Sequence, residues 1–275
     1  MSETTNRPEI TTRNLDFALS PDLPRYWHGG DPFITHFFNG LSVMFPEGER
    51  FFMDAVRRYV PRISDPKLRE DVRGFLGQEG IHAREHERYN RMLAEQGYPI
   101  AKMERLLELG IRMDRKWPPK WQLAMTCALE HFTAVFADVV LRDPRILADA
   151  HPTMARLWRW HAIEETEHKA VAFDVYRAVA PGLGGYLRRV IMMAIVSVLF
   201  GLQILIHQLW LVWHDGLLWK IRARRRAFRF FWKDPGFLKQ GLRLYLVYYR
   251  RDFHPWRHDN SELVERWKAD YSNAA

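Results

Sequence analysis

The chain has 275 residues, a net charge of +8 and one cysteine, Cys127. Hydrophobic residues make up 47% and aromatics 14%, enough for a large core and too many for an intrinsically disordered chain. A lone cysteine excludes an intrachain disulfide and a thiolate metal cluster, which fits a reducing cytoplasm; the polar opening Met1–Asn14 has no apolar signal segment, so secretion is not expected.

No stretch alternates apolar and polar residues at a period of two, so the expected fold class is all-α. Residues 1–30, rich in Pro, Thr and Asn, read as an irregular leader. A first helix is expected over about 32–60, stopping at Pro61, with the apolar stripe Phe38, Leu41, Phe45, Phe52 and Val56. Position 49 falls on that stripe and position 47 on the opposite side, so Glu49 is the inward carboxylate and Glu47 its alternative. The second helix opens with Asp65 as N-cap and Pro66 at its first position and closes at Gly97. Its stripe of Leu68, Val72 and Phe75 continues as Glu79, His82 and His86 before Leu93.

A shorter amphipathic helix follows at about 101–115. Pro118-Pro119 starts a third long helix to about 142, in which Leu123, Cys127, Glu130, Ala134 and Ala137 share a face. The fourth long helix, about 152–180, ends at Pro181-Gly182. On it His161, Glu165 and His168 lie at i, i+4 and i+7, in line with Trp158, Ala172, Val175 and Val179. Polar groups on a core-facing stripe are costly unless something binds them. Glu164 and Glu167 lie off that stripe, as solvated acids or as partners of the inward groups.

Residues 190–213 are apolar except for Ser197, Gln203, His207 and Gln208. The run is at the edge of a membrane span, or is a long helix packed against the bundle or a partner chain. A basic cluster follows at Lys220, Arg222, Arg224, Arg225, Arg226 and Arg229. It forms a solvated face or meets anionic lipid, nucleic acid or an acidic partner. Trp210, Trp213, Trp219, Phe228, Phe230, Phe231 and Trp232 interleave it as at a membrane interface, so nucleic acid is disfavoured. Two short amphipathic helices are expected over about 233–271.

Four long helices thus present Glu49, Glu79 with His82, Glu130, and Glu165 with His168. One Glu from each of two helices and Glu-x-x-His from each of the other two is the ligand pattern of ferritin-like di-iron and di-manganese carboxylate bundles. Carboxylates bridge two cations, and imidazoles cap them while leaving positions open. A single Glu-x-x-His is common; two on apolar stripes, in this helix order, are specific. His86 is a ligand, a partner of one or a surface residue at the bundle end. The expected architecture is a ferritin-like four-helix di-metal bundle over 31–183. An apolar helix and basic-aromatic segment follow over 184–232, and a short helical tail over 233–275 packs on the bundle.

The motifs Phe45-Pro46-x-Gly48-Glu49-x-Phe51-Phe52, Gln78-Glu79-x-Ile81-His82-x-x-Glu85-His86-x-x-Tyr89-Asn90 and Trp160-His161-x-x-Glu164-Glu165-x-Glu167-His168-Lys169 resemble the bacterial family of predicted metal-dependent hydrolases, over about 30–255. The spacing His161-x-x-x-Glu165-x-x-His168 also resembles the di-iron arylamine N-oxygenases. That second resemblance implies His161 as a seventh ligand beside Glu49, Glu79, His82, Glu130, Glu165 and His168; helix position alone leaves His86, Glu47 and Glu164 as candidate ligands or partners of ligands.

The expected function is oxidation of a small organic or lipid-like substrate with O₂ at a site holding two metal ions, iron first, with manganese or zinc as alternatives. The first alternative is hydrolysis by a metal-activated water, as the family's name says; the second is a non-catalytic metal-binding protein. No catalytic residue is expected beyond the ligands. An apolar small-molecule substrate, a homodimer, and a cytoplasmic protein touching the inner face of the membrane through 188–232 complete the expectations.

Overall fold

The computed structural model describes residues 7–272, and among them every long element is helical. The first helix, α1 (Pro32–Arg57), is capped by Asp31, whose carboxylate accepts from the amides of Phe33 and Ile34. Helix α2 (Pro66–Glu95) has Asp65 as N-cap, accepting from the amide of Lys67. It ends at Gly97, whose φ of 94° only glycine adopts without strain. Then come α3 (Ile100–Asp114) and α4 (Pro119–Arg142).

The helix expected over 152–180 is two helices, α5 (Pro152–His168) and α6 (Val171–Val179). The break falls at Lys169, which leaves the helix line to serve the tail. Its ammonium donates to His258 O at 2.8 Å and Asn260 Oδ1 at 2.6 Å, and lies 3.8 Å over the Trp256 ring. Helix α7 (Gly182–His214) carries the apolar run, followed by α8 (Ile221–Trp232), α9 (Phe237–Val247) and α10 (Ser261–Ser272).

Helices α1, α2, α4 and α5 with α6 enclose the core, and α7 lies along α1 and α4 on the outside. The predicted stripes are the buried ones: Phe38, Leu41, Phe52 and Val56 on α1, Val72, Phe75 and Leu93 on α2, Leu123 and Cys127 on α4. Residues 7–30 have no helix, yet Leu15, Phe17 and Trp27 are buried, so this segment straps across the bundle. It comes close because α2 offers glycines. A Cβ on Gly74 would stand 2.7 Å from Ile10 Cγ2, and one on Gly77 2.8 Å from Thr12 Oγ1.

Candidate metal centre

The inward stripes converge midway along the bundle. Glu49 from α1, Glu79 and His82 from α2, Glu130 from α4, and His161, Glu165 and His168 from α5 are all buried. Their donor atoms form overlapping triads, each within 4.8 Å: Glu79, Glu165 and His168; Glu49, Glu79 and His82; His82, His161 and Glu165; Glu49, His86 and His161. Glu130 closes the group, with Oε2 3.7 Å from His168 Nε2. Glu79 and Glu165 each belong to two triads, the place of a carboxylate that can serve two cations at once.

These groups lack the partners that buried polar atoms ordinarily have. Both oxygens of Glu49, Glu79 and Glu130, both ring nitrogens of His82, and single atoms of His161 (Nε2), Glu165 (Oε2) and His168 (Nε2) make no hydrogen bond. Each such atom costs about 1–3 kcal/mol if left unsatisfied, so so many in one place point to a ligand that supplies the missing bonds. The donor set is hard oxygen plus imidazole nitrogen, which suits divalent transition metals. The residues present fit such ions.

The carboxyls respond to one another as a crowded anionic cluster does. Burial pushes Glu49 well up, and the charges of Glu79, Glu165 and Glu130 push it further. Burial raises Glu130 likewise, with Glu79 next. Glu165 goes the other way: burial lifts it, but His168 and His161 outweigh burial and hold it well below the usual carboxylate range. His168 is correspondingly raised, with Glu165 and Glu79 overcoming its desolvation. A cation held among these donors would compete with protons for His168, whose basicity its acidic neighbours raise.

A second layer fixes which nitrogen each histidine presents. His168 Nδ1 donates to Gln78 Oε1 at 2.8 Å, leaving Nε2 turned to Glu79 and Glu165. His82 has Nε2 3.1 Å from Glu164 Oε2 without a hydrogen bond between them, and Nδ1 towards Glu79 and Glu165. Glu164 in turn accepts from Trp160 Nε1 at 3.0 Å and from the backbone amide of Arg13 at 3.1 Å. The Arg13 guanidinium meets Glu164 at 3.2 Å and Glu167 at 2.6 Å. Burial lifts Glu164 to about 7 despite Arg13 beside it. Such outer partners orient ligands and raise their basicity.

The structure sorts the remaining candidates. His86 is fully buried, hydrogen-bonded through Nδ1 to Ser42 Oγ at 3.0 Å and through Nε2 to His161 Nδ1 at 3.1 Å. It is joined to the cluster through His161, whose ring stacks on Phe45 at 4.8 Å. Glu47 turns away from the cluster and pairs with Arg50, which also meets Glu87. Glu164 and Glu167 are buried anchors, not solvated acids.

Sequence reasoning missed Arg13 and undervalued Gln78. Arg13 sits in an irregular segment 151 positions from Glu164, where no periodicity could point to it. Gln78 had a local signal: it precedes Glu79 on the inward side of α2.

Beside the cluster, α1, α3, α4 and α7 enclose a cleft of about 460 Å³. Phe52, Leu107, Leu129 and Phe200 line it, and Glu49 is its polar contact with the carboxylate–histidine cluster.

Residues 11–259 match the family model described as predicted metal-dependent hydrolase. The chain belongs to that family. No curated protein and no solved structure matches it. The predicted metal-dependent hydrolase family thus covers the strap from residue 11, with Arg13, and every residue of the buried cluster, and of the tail that meets Lys169 it takes in Trp256 and His258. Its description favours hydrolysis, the first alternative above, over the oxidation expected from the ligand pattern.

Proposed function

We propose that this protein is a metal-dependent hydrolase acting on an apolar or acyl-bearing substrate. The observation that carries the reading is that buried donors without partners on Glu49, Glu79, His82, Glu130, His161, Glu165 and His168 adjoin an apolar cleft. The four carboxylates among them, if ionised, carry a charge of −4, which two divalent cations balance. Held there, such ions would lower the pKa of a water and polarise a carbonyl or phosphoryl oxygen. Zinc and manganese suit hydrolysis as well as iron does.

The protein's own groups do the rest. Phe52, Leu129 and Phe200 exclude bulk water and receive the substrate's apolar part. Glu49, at the junction of cleft and cluster and pushed up by burial, is the carboxyl best placed to take or give a proton as substrate arrives. Gln78 keeps the His168 imidazole turned to the centre, and Arg13 holds Glu164 in place beside His82.

The test is metal analysis of purified protein followed by turnover of acyl esters and phosphoesters of graded chain length, with and without chelator. Metal-dependent turnover that Glu79→Ala and Glu165→Ala both remove supports the reading. Full metal content in both variants sinks it.

A second reading, oxidation of the same substrate class with O₂ by an iron-loaded centre, is favoured by His161, whose free Nε2 lies 3.2 Å from Glu165 Oε1. Substrate-dependent O₂ uptake by the reduced iron form, without hydrolysis, would select it.

A further inference from the structure

Helix α7 has two contrasting faces. Arg189, Met192, Met193, Val196, His207 and Leu211 are buried against the bundle. The outward face is Leu187, Ile191, Val198, Leu199, Leu202, Leu205, Ile206, Leu209 and Trp213, all exposed, and no charged residue occurs between Arg189 and His214. Among the described residues two helices are long and apolar enough to cross a membrane, α4 and α7; the most apolar stretch of α4 is 78% buried, that of α7 only 22%. An open apolar face of this length is an interaction surface. Helix α3 extends it with exposed Leu106, Leu109 and Met113.

The mouth of the cleft opens in this face. Leu106 and Met113 from α3, and Leu199, Leu202 and Ile206 from α7, line the cleft and are themselves exposed. Basic charge lies next along the chain. Residues 215–220 lead from α7 to α8, and both helices pack on the first half of α1, Gln208 through Phe33 O at 2.7 Å and Phe231 through Phe37 at 4.8 Å. On α8, Arg226 pairs with Asp31 and Arg229 with Asp234. Arg222, Arg224 and Arg225 are exposed and make no ion pair among the described residues. Exposed Trp213, Trp219, Phe228 and Trp232 surround them.

We infer that the α3–α7 face docks on an anionic lipid bilayer, with the cleft mouth in the acyl region, and that substrate enters the cleft from the membrane. Free arginines bind the lipid headgroups, tryptophans sit at the interface and the leucines bury in the acyl chains. A second copy of this chain brings the same net charge of +8 to meet the free arginines, so a bilayer is the better fit. The helix lies along the interface instead of crossing it. Its inner face is held to α1 by His207 Nδ1 donating to Gly40 O at 3.4 Å, and Arg189 is tied to Arg250 O at 2.8 Å. The entry route deepens the hydrolase reading and rests on it; the docking does not.

Flotation of the full-length protein with vesicles of phosphatidylcholine, with or without phosphatidylglycerol, tests the docking. Wild type should float with the anionic vesicles. Arg222→Glu/Arg224→Glu/Arg225→Glu should weaken binding roughly a hundredfold, and Leu199→Asp/Leu202→Asp should abolish it, with helical content unchanged. A polarity-sensitive dye at Met113→Cys should shift to the blue on binding, while one at Lys67→Cys should not. Binding should survive in Glu79→Ala/Glu165→Ala, so a failed metal reading leaves the docking intact. No flotation, or flotation unaffected by both surface variants, overturns it. Resistance to alkaline carbonate would mean a span and overturn the interfacial arrangement. A dimer broken by Leu199→Asp/Leu202→Asp, with no vesicle binding, would make a second copy the occupant and overturn it too.

Discussion

The side-chain oxygen of Gln78 accepts the Nδ1 proton of His168 at 2.8 Å, while its amide nitrogen donates to Thr11 O at 3.1 Å and Glu167 Oε2 at 2.7 Å. Those two acceptors fix which end of the amide faces the histidine, and so which histidine nitrogen is left for a cation. Gln78→Met keeps the volume and loses the orientation. Metal affinity, measured by chelator competition, should fall about 10- to 100-fold with little change in helical content. Unchanged affinity would show that the ring is held by packing alone.

Glu47 and Glu49 are two residues apart and differ in environment, one paired with Arg50 towards solvent, the other buried without a partner. Glu49→Gln should lower metal stoichiometry or affinity; Glu47→Gln should leave both at the wild-type value. Elemental analysis after dialysis decides, and the reverse outcome would reassign the ligand on α1.

Arg13 is the cation of a buried trio with Glu164 and Glu167. Removing it strands carboxylates in the core, so Arg13→Met should cost roughly 3–5 kcal/mol in denaturant unfolding. Adding Glu167→Gln to Arg13→Met should recover part of that loss. If the two changes simply add, the pair is not coupled.

Gly48 lines the cleft, and a Cβ there would meet only the tip of Phe52, at 4.0 Å. Gly48→Leu should therefore fold, with helix propensity favouring it by roughly 0.8 kcal/mol. It should cut turnover of long-chain substrates more than short ones while metal content holds. An equal loss for every chain length would remove the cleft from the substrate route.

His131 and His207 are buried and neutral, donating to Leu244 O at 3.1 Å and Gly40 O at 3.4 Å. Burial holds each at about 4. Below about pH 6.5 the unfolded chain protonates these histidines and the folded chain does not. The stability they contribute is thus complete above that pH and lost as pH falls towards 4, by about 1.4 kcal/mol per unit for each. Wild type and His131→Gln/His207→Gln share the carboxylate cluster, so its titration cancels in their comparison. Melting temperature should drop more steeply with acid in wild type; equal slopes would refute the assignment.

The long helices were legible because their stripes and punctuation agree: Asp65-Pro66 opens α2, Gly97 closes it, and the residues interrupting the apolar periodicity are the ones that meet in the core. The break at Lys169 was not legible. Periodicity continues through Trp158, Ala172 and Val175, and the reason for the break, an ammonium drawn to His258 and Asn260, lies 89 positions away. Arg13 was hidden for the same reason. Local pattern reports which face is buried and is silent about distant charges that come to satisfy it. His86 fell between these cases: the stripe placed it inside, but its partnership with His161 needed coordinates.

The strap has a consequence for how the protein comes into being. Arg13 is made early, and its partners Glu164 and Glu167 follow about 150 residues later. While the chain is being synthesised, α1, α2 and α4 are complete before α5 exists, and the strap then has α2 to hold, through Gln78 to Thr11 O at 3.1 Å, but not the partners of Arg13. During that interval the acidic interior stands open to water and to whatever ions the surroundings supply. Pairing Arg13 with Glu164 and Glu167 is then the late stitch, so the order of synthesis leaves the acidic interior to be closed only once α5 is made.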